Sequence, residues 1–441
     1  MHPLFETPMP VGWRLAKVDD IKADEKSACV AGPFGSNISS KYFIETGVPV
    51  IRGGNLTDDL IRFVPSGFAF VSEKQAEKYK AQHVRGGDLV FTCWGTVGQV
   101  GLIPLDGPFP EYIISNKQLK LRPNLQTTDP EYLFFYFACP QMVDHIRSKA
   151  IGAAVPGINL GILKELPVAL PPLSTQRRIA SILSGYDELI DNCQRRIRIL
   201  EDMARGLYRE WFVQFRFPGA DALPRVDSSL GPIPQGWEVR QTGELAEEMR
   251  RNVPKGRLET GRPYVGLDHI PRRSMALDNW ETTGELGSNK LEFKAGEVLF
   301  GKIRPYFHKA CVAPFDGVCS ADTIVIRARE PLHYGQVVGC VVSDEFVAYA
   351  TTTSNGSKMP RASWSVLRDW LVAVPTELIA VRFTTVMRGV IGQQQNLVAK
   401  IANLRRTRYL LLPRLLSGQI ALRCAESEEA LLSAIGTSGL V

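Results

Sequence analysis

The second half of this chain repeats the first. Pro10-Val-Gly-Trp13 returns as Pro234-Gln-Gly-Trp237, and Leu166-Pro-Val-Ala-Leu-Pro171 returns as Trp370-Leu-Val-Ala-Val-Pro375. From Pro171 to Pro375 the offset is 204 residues, and the same offset carries Gly152 to Gly356, Pro156 to Pro360, Ile197 to Ile401 and Leu200 to Leu404. A register held without a gap from Gly152 past Leu200 is hard to reach by chance. It constrains the chain to two copies of one globular unit, each followed by the same kind of helix. Such a two-handed design suits a ligand gripped at two places, and a nucleic-acid duplex is the obvious candidate.

The first copy, residues 1–172, reads as mixed, with more strand than helix. Val48-Pro-Val-Ile-Arg52, Asp88-Leu-Val-Phe-Thr92 and the alternating Lys117-Gln-Leu-Lys-Leu-Arg122 are strand runs between glycine, proline and asparagine clusters. Residues 130–148 are predicted helical behind Asp129 as cap, and a glycine- and alanine-rich loop follows at 150–157. Pro171-Pro172 stops this unit, and Ser174 is the expected cap of the next element.

There the pattern changes. Leu183, Tyr186, Ile190, Cys193, Ile197, Leu200, Ala204, Leu207 and Trp211 alternate in steps of 3 and 4, the seam of a coiled coil. Residues 175–213, within a spacer segment at 173–217, would make a helix about 58 Å long, and Pro218-Gly219 just beyond the segment ends it. Residues 218–375 repeat the globular plan. Lys294-Ala-Gly-Glu-Val-Leu-Phe300 answers Val84-Arg-Gly-Gly-Asp-Leu-Val-Phe91, Thr323-Ile-Val-Ile-Arg327 answers the strand at 117–122, and the loop 354–360 stands where 150–156 stood. A second spacer, 376–420, carries a matching seam through Phe383, Met387, Val390, Gln394, Leu397, Ile401, Leu404, Arg408, Leu411 and Leu415. Gln394 and Arg408 are polar intruders, and Pro413 is expected to kink or fray the last turn. Residues 421–441 form a tail, acidic and then small and apolar. The expected fold is α+β: two mixed α/β globular domains separated by two long antiparallel coiled-coil helices, related by a pseudo two-fold internal repeat. The alternative is that each helix buries its seam in its own globular unit.

At 441 residues the chain has room for several cores. A formal charge of +6 and a pI near 8.8 are compatible with nucleic acid without pointing to it. The eight cysteines show no CxxC spacing and no histidine partner in a zinc pattern, so they read as idle thiols of a reducing compartment. The N-terminal residues lack a basic region followed by an apolar stretch, and no apolar run approaches membrane length. A cytoplasmic location is the expectation.

Catalytic constellations are missing from the pattern. The sequence has no Walker phosphate loop, and no glycine-rich loop or Asn/Asp-Pro-Pro-aromatic tetrapeptide of an S-adenosylmethionine-dependent amino-methyltransferase. Asp106, Glu111 and Lys117 are the nearest approach to a nuclease set, but ordinary loop charge explains them better. The six histidines are isolated. No catalytic residue and no metal ligand is therefore assigned. What recurs is loops equipped to touch DNA. In the first unit they hold Gly35, Ser36 and Asn37, then Arg52 and Asn55, then Thr92, Trp94 and Thr96. In the second they hold Arg272 and Arg273, then Lys302, Arg304, Tyr306 and Lys309, then Ser357, Lys358 and Arg361. Glycine lets backbone approach phosphate, Asn and Arg can read base edges, and Ser and Thr reach phosphate oxygens.

Leu166-Pro-Val-Ala-Leu-Pro-Pro-Leu-Ser-Thr-Gln-Arg-Arg-Ile179, leading into the long helix, resembles the apolar-Pro-Pro-Leu-x-x-Gln-x-x-Ile junction of the specificity subunits of type I restriction–modification systems. Gly32-Pro-Phe-Gly-Ser36 and Ile303-Arg-Pro-Tyr306 followed by Lys309 resemble recurrent elements of the same family. Thr175 stands where the family usually has Glu, and the second junction, Val374-Pro-Thr, lacks the double proline and the Gln. The resemblance runs from residue 1 to about 420. It implies two target-recognition domains that read the halves of an asymmetric bipartite site on double-stranded DNA. It implies two helices that space those domains and dock two methyltransferase subunits, with a motor-nuclease restriction subunit joining the assembly. S-adenosylmethionine, ATP and Mg²⁺ would then sit on those partners, and this chain would be a non-catalytic subunit. The competing readings are a nuclease or methyltransferase fused to a recognition module, and a coiled-coil scaffold with no nucleic-acid role.

If the helices are the ruler, half-site centres lie about one helical turn apart, 10–11 base pairs. Inserting one heptad into both helices, after Leu200 and after Leu404, lengthens each by about 10 Å. The unspecified gap should grow by up to about three base pairs at roughly 3.4 Å each, with the specified bases unchanged. Sequencing the methylated motif reads the outcome; a continuous site or an unchanged gap shows that the helices do not set the spacing.

Overall fold

The structure is a computed structural model that describes residues 4, 9–152, 155–284, 288–356, 358–420 and 422, with Ser36 described by its backbone alone. The tail expected at 421–441 thus lies, Leu422 apart, outside the described residues. The chain divides into two compact units, Met1–Glu188 with Arg405–Val441, and Leu189–Leu404. Each long helix is therefore shared between the two, where the sequence suggested separate spacer segments.

The first unit is built on two small sheets. One is antiparallel, in the order Cys29–Ala31, Gln118–Leu121, Leu89–Thr92, Val100–Leu102. The other runs Ala69–Val71, Val48–Ile51, Tyr112–Ile114, His83–Val84, with its central pair parallel. The core lies between the first sheet and the helix Pro130–Ala138, which starts behind Asp129 as expected: the Asp129 carboxylate accepts from Tyr132 N at 2.9 Å. Tyr132 through Phe137 are buried without interruption, as in a helix covered on every side. The single helix expected over 130–148 is two. Cys139 precedes Pro140 and is extended (ψ 134), because the proline ring disfavours a helical residue before it; a second helix, Pro140–Ser148, follows. Tyr132 and Tyr136 donate their hydroxyls to Ala169 O and Pro167 O, which fixes the strand Pro167–Leu170 that leads into the long helix.

The first long helix is Leu173–Tyr208, followed by one π-helical turn, Arg209–Val213. Ser174 is not its cap: the Pro172 carbonyl already accepts from Gln176 N, so the helix opens earlier. The buried Gln176 side chain finishes the junction, donating to Thr127 O and Pro171 O and accepting from Asp129 N.

The second unit repeats this plan. An antiparallel sheet is ordered Ala246–Glu248, Thr323–Ala328, Val298–Gly301, Ala310–Val312. A five-stranded sheet, Arg251–Val253, Lys290–Phe293, Gly317–Ser320, Pro263–Val265, Glu281–Thr282, contains the equivalent parallel pair, Pro263–Val265 with Gly317–Ser320. Helices Tyr334–Val341 and Asp344–Thr352 take the places of Pro130–Ala138 and Pro140–Ser148. The strand Leu371–Val374, offset by 204 residues from Pro167–Leu170, leads into the second long helix, Glu377–Leu416.

Within Leu189–Leu404 the two long helices pack on each other. Ile190, Cys193 and Ile197 share a core with Leu397, Val398 and Ile401, whereas Tyr208, Trp211 and Phe212 meet Phe383. That order of contacts is antiparallel. The alternative reading holds in part: Ile179 and Leu183 of the first helix belong to the core of the first unit, and Met387 and Val390 of the second helix to that of the second. The buried face also drifts. Glu201 and Tyr208 are buried, whereas Leu200 and Leu207 lie at the margin and Tyr186 is half-buried. A straight helix at 3.6 residues per turn slips by about 20° per heptad against a strict seven-residue repeat, which moves the seam over by one residue. Pro413 does not end the second helix: it continues to Leu416, with Leu412, Leu415 and Leu416 in the core of the first unit and Leu411 against it.

The polar seam residue Arg408 has a partner. In the first unit the buried Asp187 carboxylate accepts from Arg62 Nη1 at 2.7 Å and from Arg408 Nη1. Arg62 also donates to Glu131 and to Ser184 Oγ, and Arg408 reaches Asp59 O. Asp187→Ala leaves the buried Arg408 guanidinium without its counter-charge, while Arg62 keeps Glu131, and should cost about 3–5 kcal/mol, measured as a lowered urea midpoint. A loss below about 1 kcal/mol shows that solvent already serves these arginines.

Candidate nucleic-acid interface

In the second unit the strand Val298–Gly301 runs into a loop whose 3₁₀ turn, Pro305–Phe307, is flanked by two residues in the left-handed region, Arg304 (φ 51) and His308 (φ 52). Non-glycine residues hold this conformation only when their surroundings enforce it. Here His308 is the peg. Its ring is buried, with Nε2 3.0 Å from Val342 O and Nδ1 3.3 Å from the Asp344 carboxylate. Burial holds its pKa below the ordinary histidine value.

A second loop closes on the first. Asn355 and Arg361 exchange backbone hydrogen bonds, Arg304 N donates to Pro360 O at 2.8 Å, and Ala362 N donates to Lys302 O at 3.0 Å. Gly356 (φ 102) makes the tight turn; a Cβ there would come within 3.1 Å of Met359 O. A third segment joins through the Arg272–Lys309 bridge and the bond from Arg273 N to His308 O. The structure thereby gathers Arg272, Arg273, Lys302, Arg304, Tyr306, Lys309, Lys358 and Arg361 around three adjoining loops. Ser357 lies outside the described residues.

Their side chains are not equally free. The Arg272 guanidinium lies 4.1 Å from the Phe307 ring centroid, and Tyr306 packs edge-on to the same ring. Arg273 pairs with Asp344, Lys302 Nζ donates to Ala321 O, and Lys309 Nζ donates to Leu267 O. Burial and the neighbouring Arg272 charge lower the Lys309 pKa. Arg361 lies 3.5 Å from Asp322. Lys358, Met359 and Tyr306 are exposed. The Arg304 Nε is enclosed and has no hydrogen-bond partner among the described residues.

The first unit holds the same backbone device with different side chains. Ile151 and Gly157 exchange backbone bonds, Ile158 N donates to Cys93 O at 3.0 Å, and Trp94 bridges to Gly157. Gly152 (φ 108) stands where Gly356 stands, and a Cβ on Gly157 would sit 2.5 Å from the Trp94 ring. Cys93 N donates to Lys117 O at 2.8 Å, as Lys302 N donates to Asp322 O at 2.8 Å. Segment 115–117 then reaches the other predicted residues: Asn116 Nδ2 donates to Gly35 O, and Ser115 N donates to Ile51 O beside Arg52. Gly35, Asn37, Arg52, Trp94 and Thr96 are exposed on this surface.

Two expected contacts are corrected. Asn55 is 2% exposed. Its Oδ1 accepts from Arg52 N and its Nδ2 donates to Val64 O and Ser66 O, so the amide is spent on backbone. Thr92 is equally buried, with its hydroxyl on Gln99 Oε1. Sequence reasoning also passed over exposed residues of this surface: Phe34 (91% exposed), Asn116, Ile151 and Val155. Phe34 had a signal, a large apolar residue between Pro33 and Gly35. Among the described residues no group of three or more His, Cys, Asp or Glu could hold a metal ion. No helix among them is long and apolar enough to cross a membrane.

Residues 31–201 match the type I restriction modification DNA specificity domain. The chain is similar to the type I restriction enzyme MjaIX specificity subunit of Methanocaldococcus jannaschii, 22% identical over 425 residues that cover 93% of this chain and 94% of that protein. It is also similar to the EcoDI specificity subunit of Escherichia coli, 23% identical over 267 residues, 55% of this chain and 58% of that protein. Its fold resembles the crystal structure of the type I restriction-modification S subunit from M. genitalium, with a TM-score of 0.55 at 13% identity, covering 94% of this chain and 99% of that one.

Asn55→Ala should cost about 1–3 kcal/mol, because the bonds its buried amide makes to Arg52 N, Val64 O and Ser66 O are lost, while Arg52→Ala should stay within about 0.5 kcal/mol. Denaturant unfolding of both variants distinguishes a framework residue from a surface one; equal effects count against this assignment.

Proposed function

We propose, from the premise that this chain belongs to the type I restriction–modification specificity subunits, that it reads DNA for a restriction–modification complex and supplies no catalysis of its own. The observation that carries this reading is the loop device built twice, once on each unit, from equivalent backbone bonds and different side chains. A duplicated frame with divergent contact residues fits a target of two unlike half-sites.

In the second unit the exposed cations are placed to neutralise phosphates, which positions the protein without specifying bases. Arg304 is the candidate base reader, since its backbone is held rigidly and its guanidinium keeps donors in reserve; a fork of this kind matches guanine O6 and N7. In the first unit the open glycines Gly35, Gly53, Gly54 and Gly95, where an added Cβ would meet nothing within 4 Å, leave room for close backbone approach. The long helices are the platform for partners. Ile199 and Met203, four residues apart on the first helix, are exposed apolar side chains there. In this reading two methyltransferase subunits and a restriction subunit dock on the chain, and S-adenosylmethionine, ATP and Mg²⁺ bind to them.

The test is the methylated motif of the host genome with and without this gene, together with specific binding by the complex assembled with its methyltransferase partner. A bipartite motif that vanishes with the gene is expected; a motif unchanged by deletion overturns the reading. Methyl transfer or cleavage by the purified chain alone would favour a fused enzyme instead. Lys358→Gln and Arg361→Gln should each reduce the log–log salt slope of binding by about 0.9. Arg304→Ala should cost roughly 1–3 kcal/mol and relax one position of the motif. Unchanged binding and salt dependence in all three variants removes these loops from the interface.

A further inference from the structure

The two loop devices share a backbone but not a chemistry. In the second unit, residues 301–309 carry Lys302, Arg304 and Lys309, and residues 354–361 carry Lys358 and Arg361. The equivalent stretches of the first unit, 92–99 and 150–157, hold no charged residue. What they present is apolar without the cations that accompany Tyr306 and Met359 in the second unit. Trp94 is 43% exposed, Ile151 56% and Val155 55%. They stand together, because Trp94 bridges to Gly157 and Gly157 closes the turn on Ile151. The Trp94 ring is held in place, its edge so close to Gly157 that no Cβ fits between them.

An apolar cluster at this position needs an occupant, and the repeat identifies it. The equivalent place in the second unit is the cationic cluster proposed to face DNA. Flanking the apolar patch, Arg52 and Lys117 are exposed and have no ion pair among the described residues, as suits phosphates on either side. A duplex offers one apolar group to a protein in its major groove, the C5 methyl of thymine. We infer that the first unit reads thymine through its methyl group, by contact with Trp94, Ile151 and Val155, whereas the second unit reads through cations. This rests on the DNA-reading function proposed above.

The experiment uses the complex assembled with its methyltransferase partner and duplexes carrying the methylated motif. Each specified thymine, on either strand, is replaced in turn by uracil, which removes the methyl and leaves the pairing edge intact. Fluorescence anisotropy should show binding weakened about fourfold at one or more of these positions, the weight of one buried methyl. That discrimination should disappear in Trp94→Ala, and in Ile151→Ser or Val155→Ser, whose exposed side chains leave the fold intact. Indifference to every uracil overturns the inference, as does a thymine preference that persists in all three variants. Failure of the DNA-reading proposal would show earlier and differently: the complex would not prefer the motif over a scrambled duplex before any uracil was introduced.

Discussion

Asp187 holds guanidinium groups from two distant parts of the sequence, Arg62 and Arg408, and this contact sets the register of the first unit. An apolar seam that repeats every seven residues is nearly degenerate: a slip of one heptad exchanges one leucine or isoleucine for another. A slip past Asp187 leaves the buried Arg408 without a counter-charge, which is costly even though the intact network adds little net stability. The second unit has its own version. The buried Glu201 carboxylate accepts from Ser274 Oγ at 2.5 Å, Met275 N at 2.7 Å and Ala276 N at 3.3 Å. Both anchors grip the same part of the repeated fold, since Leu102 N donates to Arg62 O and Val312 N donates to Met275 O at matching strands. Each unit is thus pinned to its helix by a polar contact, with apolar packing filling in around it.

This anchoring matters for the proposed reading of a spaced target. Loops can hold a side chain in place only as well as their frame is held, and here the frame is mostly backbone. The exchange between Ile151 and Gly157 recurs between Asn355 and Arg361, and the bond from Ile158 N to Cys93 O recurs from Ala362 N to Lys302 O. The tight turns fall to Gly152 and Gly356, where φ is positive and L side chains are strained. Side chains on such a frame can differ without altering its shape.

Much of this was legible in the sequence, because it is written locally. The repeat, the strands, the Asp129 cap and the two long helices all follow from spacing and punctuation. The loops around Arg304 and Trp94 were legible through duplication. What escaped notice depends on partners far along the chain. Asn55 resembles a surface loop residue until Val64 and Ser66, nine and eleven positions on, bring their carbonyls to it. Glu201 resembles a solvated residue beside the seam until drift turns it inward to meet residues 274–276. Ser174 looked like a cap because the contribution of the Pro172 carbonyl depends on backbone geometry. Cys139 was readable, since a residue before proline resists the helix, but the aromatic run on its N-terminal side masked the break.

The errors share one direction. Pattern reading assigned Leu200 and Leu207 to the core and Asn55 to the surface, following hydropathy, and the structure gives the interior to Glu201, Tyr208 and Asn55. A buried polar group is tolerated only where its hydrogen bonds are met, so each such position is specific in a way that a leucine is not. Apolar positions carry the bulk of the packing and tolerate substitution among themselves. Polar positions decide which packing is adopted, and they do so through contacts too distant to show as periodicity. The same division runs through the loops: their shape comes from backbone bonds common to both units, and the chemistry they present comes from the few side chains that differ.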